Sequence, residues 1–167
     1  MDRLTFCIPG TPKGKGRPRA TVRGGNVRLY TPAATANYEN LVMLCATQAM
    51  LDAGITEPRG DAAAVVISVR FAATKAIEKK NYLAGWADGE GFDPHGRKAR
   101  RARAGEIKAV PAHTSRPDLD NIIKAVLDGV NGVALRDDAS VNCIMATKGY
   151  GRTAGVQVDL FWESPVC

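Results

Sequence analysis

The segment Arg116-Pro117-Asp118-Leu119-Asp120-Asn121-Ile122-Ile123-Lys124 holds the residues best suited to chemistry. Pro117 disfavours helical backbone at Arg116, so a helix begins only after this point. Asp118 then falls near the N-cap and Asp120 in the first turn. A carboxylate there is stabilised by free backbone N–H groups and the helix dipole, which accounts for Asp118 in structural terms alone. It accounts less well for Asp120. Asp120, Lys124 and Asp128 recur every four residues and share the polar face of that helix. One reading is a surface ladder of ion pairs. The other is a carboxylate pair for a metal ion, with a lysine one turn away.

Asp137-Asp138 adds two more acids. A helix over 118–131 is roughly 20 Å long, and a direct return would leave Asp138 at its far end. A following strand packed against that helix could bring the acids back. The sequence leaves both open, and an ordinary polar turn accounts for the pair equally well. If the acids converge, they form a hard oxygen site without nearby His or Cys. Such a site suits Mg²⁺, with Mn²⁺ as a substitute, and not zinc. The metal would activate water and neutralise charge on a phosphoryl group. Lys124 would bind that phosphate or stabilise its transition state.

The charge pattern points to a polyanionic partner. The 167 residues carry a net charge of +6, from 23 basic and 17 acidic residues. Residues 11–28 hold Lys13, Lys15, Arg17, Arg19, Arg23 and Arg28 and no acid. Residues 97–108 hold Arg97, Lys98, Arg100, Arg101, Arg103 and Lys108 against Glu106. The remainder of the chain is therefore acidic overall. Two basic segments on an acidic body fit nucleic acid better than two solvated loops. Lys13, Lys15, Arg17, Arg19, Arg100, Arg101 and Arg103 are the expected DNA contacts, mainly to phosphates.

A chain of this length forms one domain with a full core. Its 45% hydrophobic and 24% charged content excludes a disordered chain. The uncharged run 40–51 is too short to span a bilayer, and no secretion signal is expected at the N-terminus. Cys7, Cys45, Cys143 and Cys167 form no C-x-x-C pair, so reduced thiols and a cytoplasmic location are expected.

Several elements must position these residues. Leu4, Phe6 and Ile8 alternate in a short strand that stops at Pro9-Gly10. Residues 9–28 read as a loop. Thr31 as N-cap and Pro32 as first helical residue open a helix that Gly54 terminates. Residues 63–71 alternate as a strand. Residues 72–112 are the least legible, with a basic helix over 97–108 as one expectation. Leu119, Ile122, Ile123, Val126, Leu127 and Val130 mark the clearest amphipathic helix, over 118–131. Strands follow over 140–148 and 156–162, the last antiparallel to its neighbour. The order is β-α-β-α-β-β. The expected fold is α+β, a mixed four-stranded sheet packed with two main helices.

Other candidates are weaker. His95 and His113 lack metal-ligand spacing. Gly10 to Lys15 has three residues between its glycines, and Gly16 follows Lys15, so it is no P-loop. Trp86 and Phe92 could stack on bases, although burial is the simpler fate.

Asp-Leu-Asp-Asn at 118–121, Lys124, Asp128 and Asp137-Asp138 together resemble the RusA family of Holliday junction resolvases. Ile8-Pro9-Gly10, Gly14-Lys15-Gly16-Arg17-Pro18-Arg19 and Tyr30-Thr31-Pro32 resemble its phage and prophage branch. The resemblance implies Mg²⁺-dependent cutting of four-way DNA junctions by a homodimer, in recombination or repair. It implies metal ligation by Asp118, Asp120 and Asp138, a catalytic Lys124 and a supporting Asp137. Asn121 matches the motif. Residues 75–110 are longer than in the compact members, which bears on how a junction is gripped. Two readings compete with this one: a non-catalytic DNA-binding module and a metal-dependent nucleotide phosphohydrolase.

Overall fold

The computed structural model describes residues 2–75, 77 and 112–162. The basic helix expected over 97–108, with Arg100, Arg101 and Arg103, lies outside the described residues. So do His95, Trp86 and Phe92.

The chain runs β1 (Asp2–Pro9), β2 (Arg19–Arg23), β3 (Asn26–Tyr30), α1 (Ala33–Asp52), β4 (Ala63–Ala72), α2 (Leu119–Val130), a 3-10 turn (Asp138–Ser140), β5 (Val141–Gly151) and β6 (Gly155–Trp162). Four strands form a mixed sheet in the order β1-β6-β4-β5. The fold is α+β, and among the described residues it has two long helices and this sheet.

Strand pairing follows apolar content. Val65, Ile67, Val69 and Phe71 of β4 alternate inward, as do Leu4, Phe6 and Ile8 of β1. In β6, Val156, Val158, Leu160 and Trp162 are all buried. β6 therefore takes an interior position, antiparallel to β1 on one side and β4 on the other. β5 is poorer in apolar residues and stands at the edge, parallel to β4. Consequently β5 and β6 do not pair as a hairpin, although they are consecutive. β4 lies between them, and residues 152–154 cross its end.

α1 packs against β1 and α2. Tyr38, Val42, Ala46 and Met50 form its buried stripe, one residue per turn. Pro32 occupies the N-cap position, one residue later than the expected Thr31, and makes no side-chain cap. Gly54, at φ +69°, ends the helix as expected. α2 buries Ile122, Ala125, Val126, Gly129 and Val130. Gly129 faces α1 so closely that a Cβ there would lie 2.6 Å from Val42 Cβ and 2.9 Å from the Glu39 carbonyl.

The segment 9–28, expected to be a loop, holds β2, the turn and the first half of β3. Gly24 and Gly25, at φ +60° and +79°, supply the two left-handed residues of a tight hairpin turn. Among the described residues no helix is long and apolar enough to cross a membrane.

Candidate active site

The acidic motif enters α2 at its N-terminus. Asp118 is the N-cap residue, with extended backbone, yet its carboxylate makes no capping hydrogen bond. Its carbonyl accepts from the Ile122 N–H at 3.2 Å, so the backbone opens the helix while the exposed side chain does not close it. Capping thus fails to explain the carboxylate. Lys148 of β5 donates from Nζ to the Ser115 and Pro117 carbonyls, both at 3.0 Å. That tie fixes the approach to Asp118 from the sheet edge.

Asp120 stands in the first turn and accepts from Lys124 Nζ at 3.2 Å. The hydrogen bond from Lys124 holds the Asp120 carboxyl below its ordinary range. Both side chains are well exposed, so the pair contributes little to stability.

The basic loop before β2 reaches the same helix end. The Lys15 N–H donates to the Asn121 carbonyl at 2.8 Å. Gly14 sits so close that a Cβ would lie 3.0 Å from both Asn121 Cβ and Pro117 Cβ. Gly16 donates its N–H to Thr35 Oγ1 of α1 at 3.0 Å. Between loop and helix lies a groove of about 610 Å³, lined by Gly14, Lys15, Arg17, Arg116, Pro117, Asp118 and Asn121. Two guanidiniums and one carboxylate therefore share one opening.

Lys15 departs from the other basic residues of its segment. Its ammonium is hydrogen-bonded to Asp128 and lies 4.0 Å from Glu39 of α1. The Asp128 hydrogen bond raises the Lys15 pKa, and Asp138 adds to that effect. Burial pushes the Glu39 carboxyl up, against the pull of Lys15. Lys13, Arg17 and Arg19 are exposed. The sequence assigns Lys15 to DNA contact alongside them, places Asp128 on the polar face and in the family motif without a role of its own, and does not single out Glu39. Arg116 belongs to the motif in sequence, but only the groove gives it a role.

Asp137 and Asp138 emerge from a connection held against the segment before β4. Arg59 donates its N–H to the Ala134 carbonyl at 3.1 Å, and its carbonyl accepts from Arg136 at 2.7 Å. Asp137 then caps the 3-10 turn, accepting the Ala139 N–H at 2.9 Å through its carboxylate. Asp138 is exposed, and its charge is the smallest of the influences that raise the Lys15 pKa.

Among the described residues, no three His, Cys, Asp or Glu side chains stand grouped as a ready metal cage. The donor chemistry at the helix end is nonetheless all oxygen. His113 is not part of it: the ring is buried, stacked on Phe71 at 3.9 Å and beside Tyr150 at 4.9 Å. Burial, then the Lys148 charge, hold His113 below its ordinary pKa, as suits a neutral core ring.

Residues 9–160 match the family described as Endodeoxyribonuclease RusA. The chain belongs to the RusA family. The match takes in the basic loop, both described helices and all of the acidic motif. The chain is also similar to YqaN, an uncharacterized protein of Bacillus subtilis (strain 168). The two are 27% identical over 158 residues, which is 95% of each. As a RusA-family chain the protein is a nuclease of the endodeoxyribonuclease class.

Proposed function

We propose that this RusA-family chain is a divalent-metal-dependent endonuclease that resolves four-way DNA junctions as a homodimer. The observation that carries the reading is the groove at the α2 N-terminus, which Arg17 and Arg116 line together with Asp118. Two guanidiniums suit a phosphate diester, and a carboxylate beside them would repel one without a cation.

Asp118, Asp120 and Asp138 would hold Mg²⁺, with Mn²⁺ as a substitute. The oxygen-only donor set and the uncapped Asp118 carboxylate support that fit. When bound, such an ion supplies an activated water and neutralises charge on the phosphoryl group. The chain's own residues do the rest. Arg17 and Arg116 orient the phosphate in the groove. Lys124, steered by Asp120, offers a positive charge to the oxygens of the pentacovalent transition state. Asp137 fixes the turn that presents Asp138.

Lys13 and Arg19 extend the phosphate track from Arg17, and Arg100, Arg101 and Arg103 join the set on charge alone. Two active sites related by two-fold symmetry would match the two strands that a junction offers for cutting. The setting is DNA recombination or repair in the cytoplasm, by a bacterial or phage-encoded protein.

Asp118→Asn tests the assignment cleanly, because Asn has the same shape, suits an N-cap position, and replaces a carboxylate that makes no capping hydrogen bond. Single-turnover junction cleavage falls by about 100-fold or more while junction affinity is kept. Cleavage at the wild-type rate would remove Asp118 from the site.

A further inference from the structure

The loop that carries the basic residues is fastened by one side chain. Lys15 lies between two closely packed glycines: a Cβ on Gly14 would lie 3.0 Å from Asn121 Cβ and Pro117 Cβ, and one on Gly16 would lie 2.9 Å from Thr35 Oγ1. Its backbone binds α2 at Asn121, and its ammonium reaches Asp128 two turns further along the same helix. Glu39 of α1 stands beside that ion pair, at the point where Gly129 lets the two helices approach. Lys15 thus joins the loop, α1 and α2 at once. Arg17 follows two residues later, on the rim of the groove that holds Asp118.

We infer that Lys15 is a positioning residue: its ion pair with Asp128, flanked by Glu39, latches the glycine-rich loop onto α2 and so sets Arg17 opposite Asp118. Lys15 is then not one of the phosphate contacts, although it sits in the basic segment. Its ammonium is committed to protein carboxylates, and its side chain is more than half covered. The kinetic part of this inference rests on the nuclease reading above; the structural part does not.

The two roles for Lys15 differ in their salt signature. A residue that neutralises a phosphate contributes about 0.9 to the slope of log affinity against log salt. A positioning residue contributes none, yet a misplaced Arg17 slows the chemistry. The test compares Lys15→Ala, Lys15→Arg, Asp128→Asn and Arg17→Ala on a synthetic four-way junction. Readouts are the salt slope of binding, the single-turnover cleavage rate and amide hydrogen exchange at Lys15 and Gly16.

Lys15→Ala and Asp128→Asn are expected to share one salt slope, no lower than that of Arg17→Ala, and to cleave roughly 10- to 100-fold more slowly. Both should lose amide protection at Lys15 and Gly16. Lys15→Arg, which can still reach Asp128, should recover most of the rate, and Arg17→Ala should lower the slope. A lowered slope in Lys15→Ala with full protection would overturn the inference and make Lys15 a DNA contact. Unchanged protection in both latch variants would overturn it as well. Should the wild type fail to cut, the nuclease reading falls, while the exchange data still decide whether the latch exists.

Discussion

Lys13, Arg17 and Arg19 are chemically similar to Lys15, but among the described residues only Lys15 is held by a carboxylate across the fold. Its partner Asp128 is 113 residues away in sequence, which is why local reading places all four together. Residue type and spacing do reveal Asp118, Asp120 and Lys124, because a helix fixes which of its own residues are neighbours. They do not reveal Glu39 or Arg116, whose surroundings come from other elements. Replacing Arg17 and Arg19 together with alanine is expected to lower the salt slope of junction binding by about 2, near 0.9 for each phosphate left without its cation. Sequence preference should stay the same, since phosphate contacts carry no base information. A binding titration across salt concentrations checks this; an unchanged slope would place the phosphate track elsewhere.

Helices and strands with strong periodicity are legible in the sequence, and those defined by turn chemistry or pairing are less so. The stripe from Leu119 to Val130 locates α2 almost to the residue. The Gly24-Gly25 turn is a hairpin signal inside a segment dominated by Lys, Arg, Gly and Pro, and composition masks it. Proximity of α1 to α2 depends on Gly129, which a hydrophobicity pattern cannot register because its contribution is the absence of a side chain. Gly129→Ala should force the helices apart at Val42. Overpacking of that kind costs about 1–3 kcal/mol, or a melting point lower by roughly 2–10 °C in a domain of this size. Thermal unfolding of the variant measures it, and an unchanged midpoint would mean that the helix pair adjusts without strain.

Across the whole molecule, the sheet order is the part least available to local reading. β5 and β6 look like a hairpin in sequence, but β4 separates them because β6 buries more and belongs inside. That order also brings Asp159 of β6 beside Arg3 and Thr5 of β1. Burial pushes the Asp159 carboxyl up, but hydrogen bonds from Arg3, Thr5 and Gln157 outweigh it and leave the pKa below its ordinary 3.8. A folded-state pKa below the unfolded one stabilises the protein above the unfolded value, and the effect disappears as pH falls through the folded value. Asp159→Asn should therefore be less stable than wild type at pH 7, with the difference shrinking as pH drops below about 4. Denaturant unfolding at several pH values reads this directly, and a gap independent of pH would assign the loss to packing alone.

Metal-dependent junction resolution is tested most directly with the wild-type protein, a four-way junction and a linear duplex of matched sequence, each in Mg²⁺ and in EDTA. Paired nicks in opposite strands of the junction are expected, only with Mg²⁺, together with an intact duplex. Junction binding without cleavage in Mg²⁺ or Mn²⁺, or equal cutting of both substrates, would refute it.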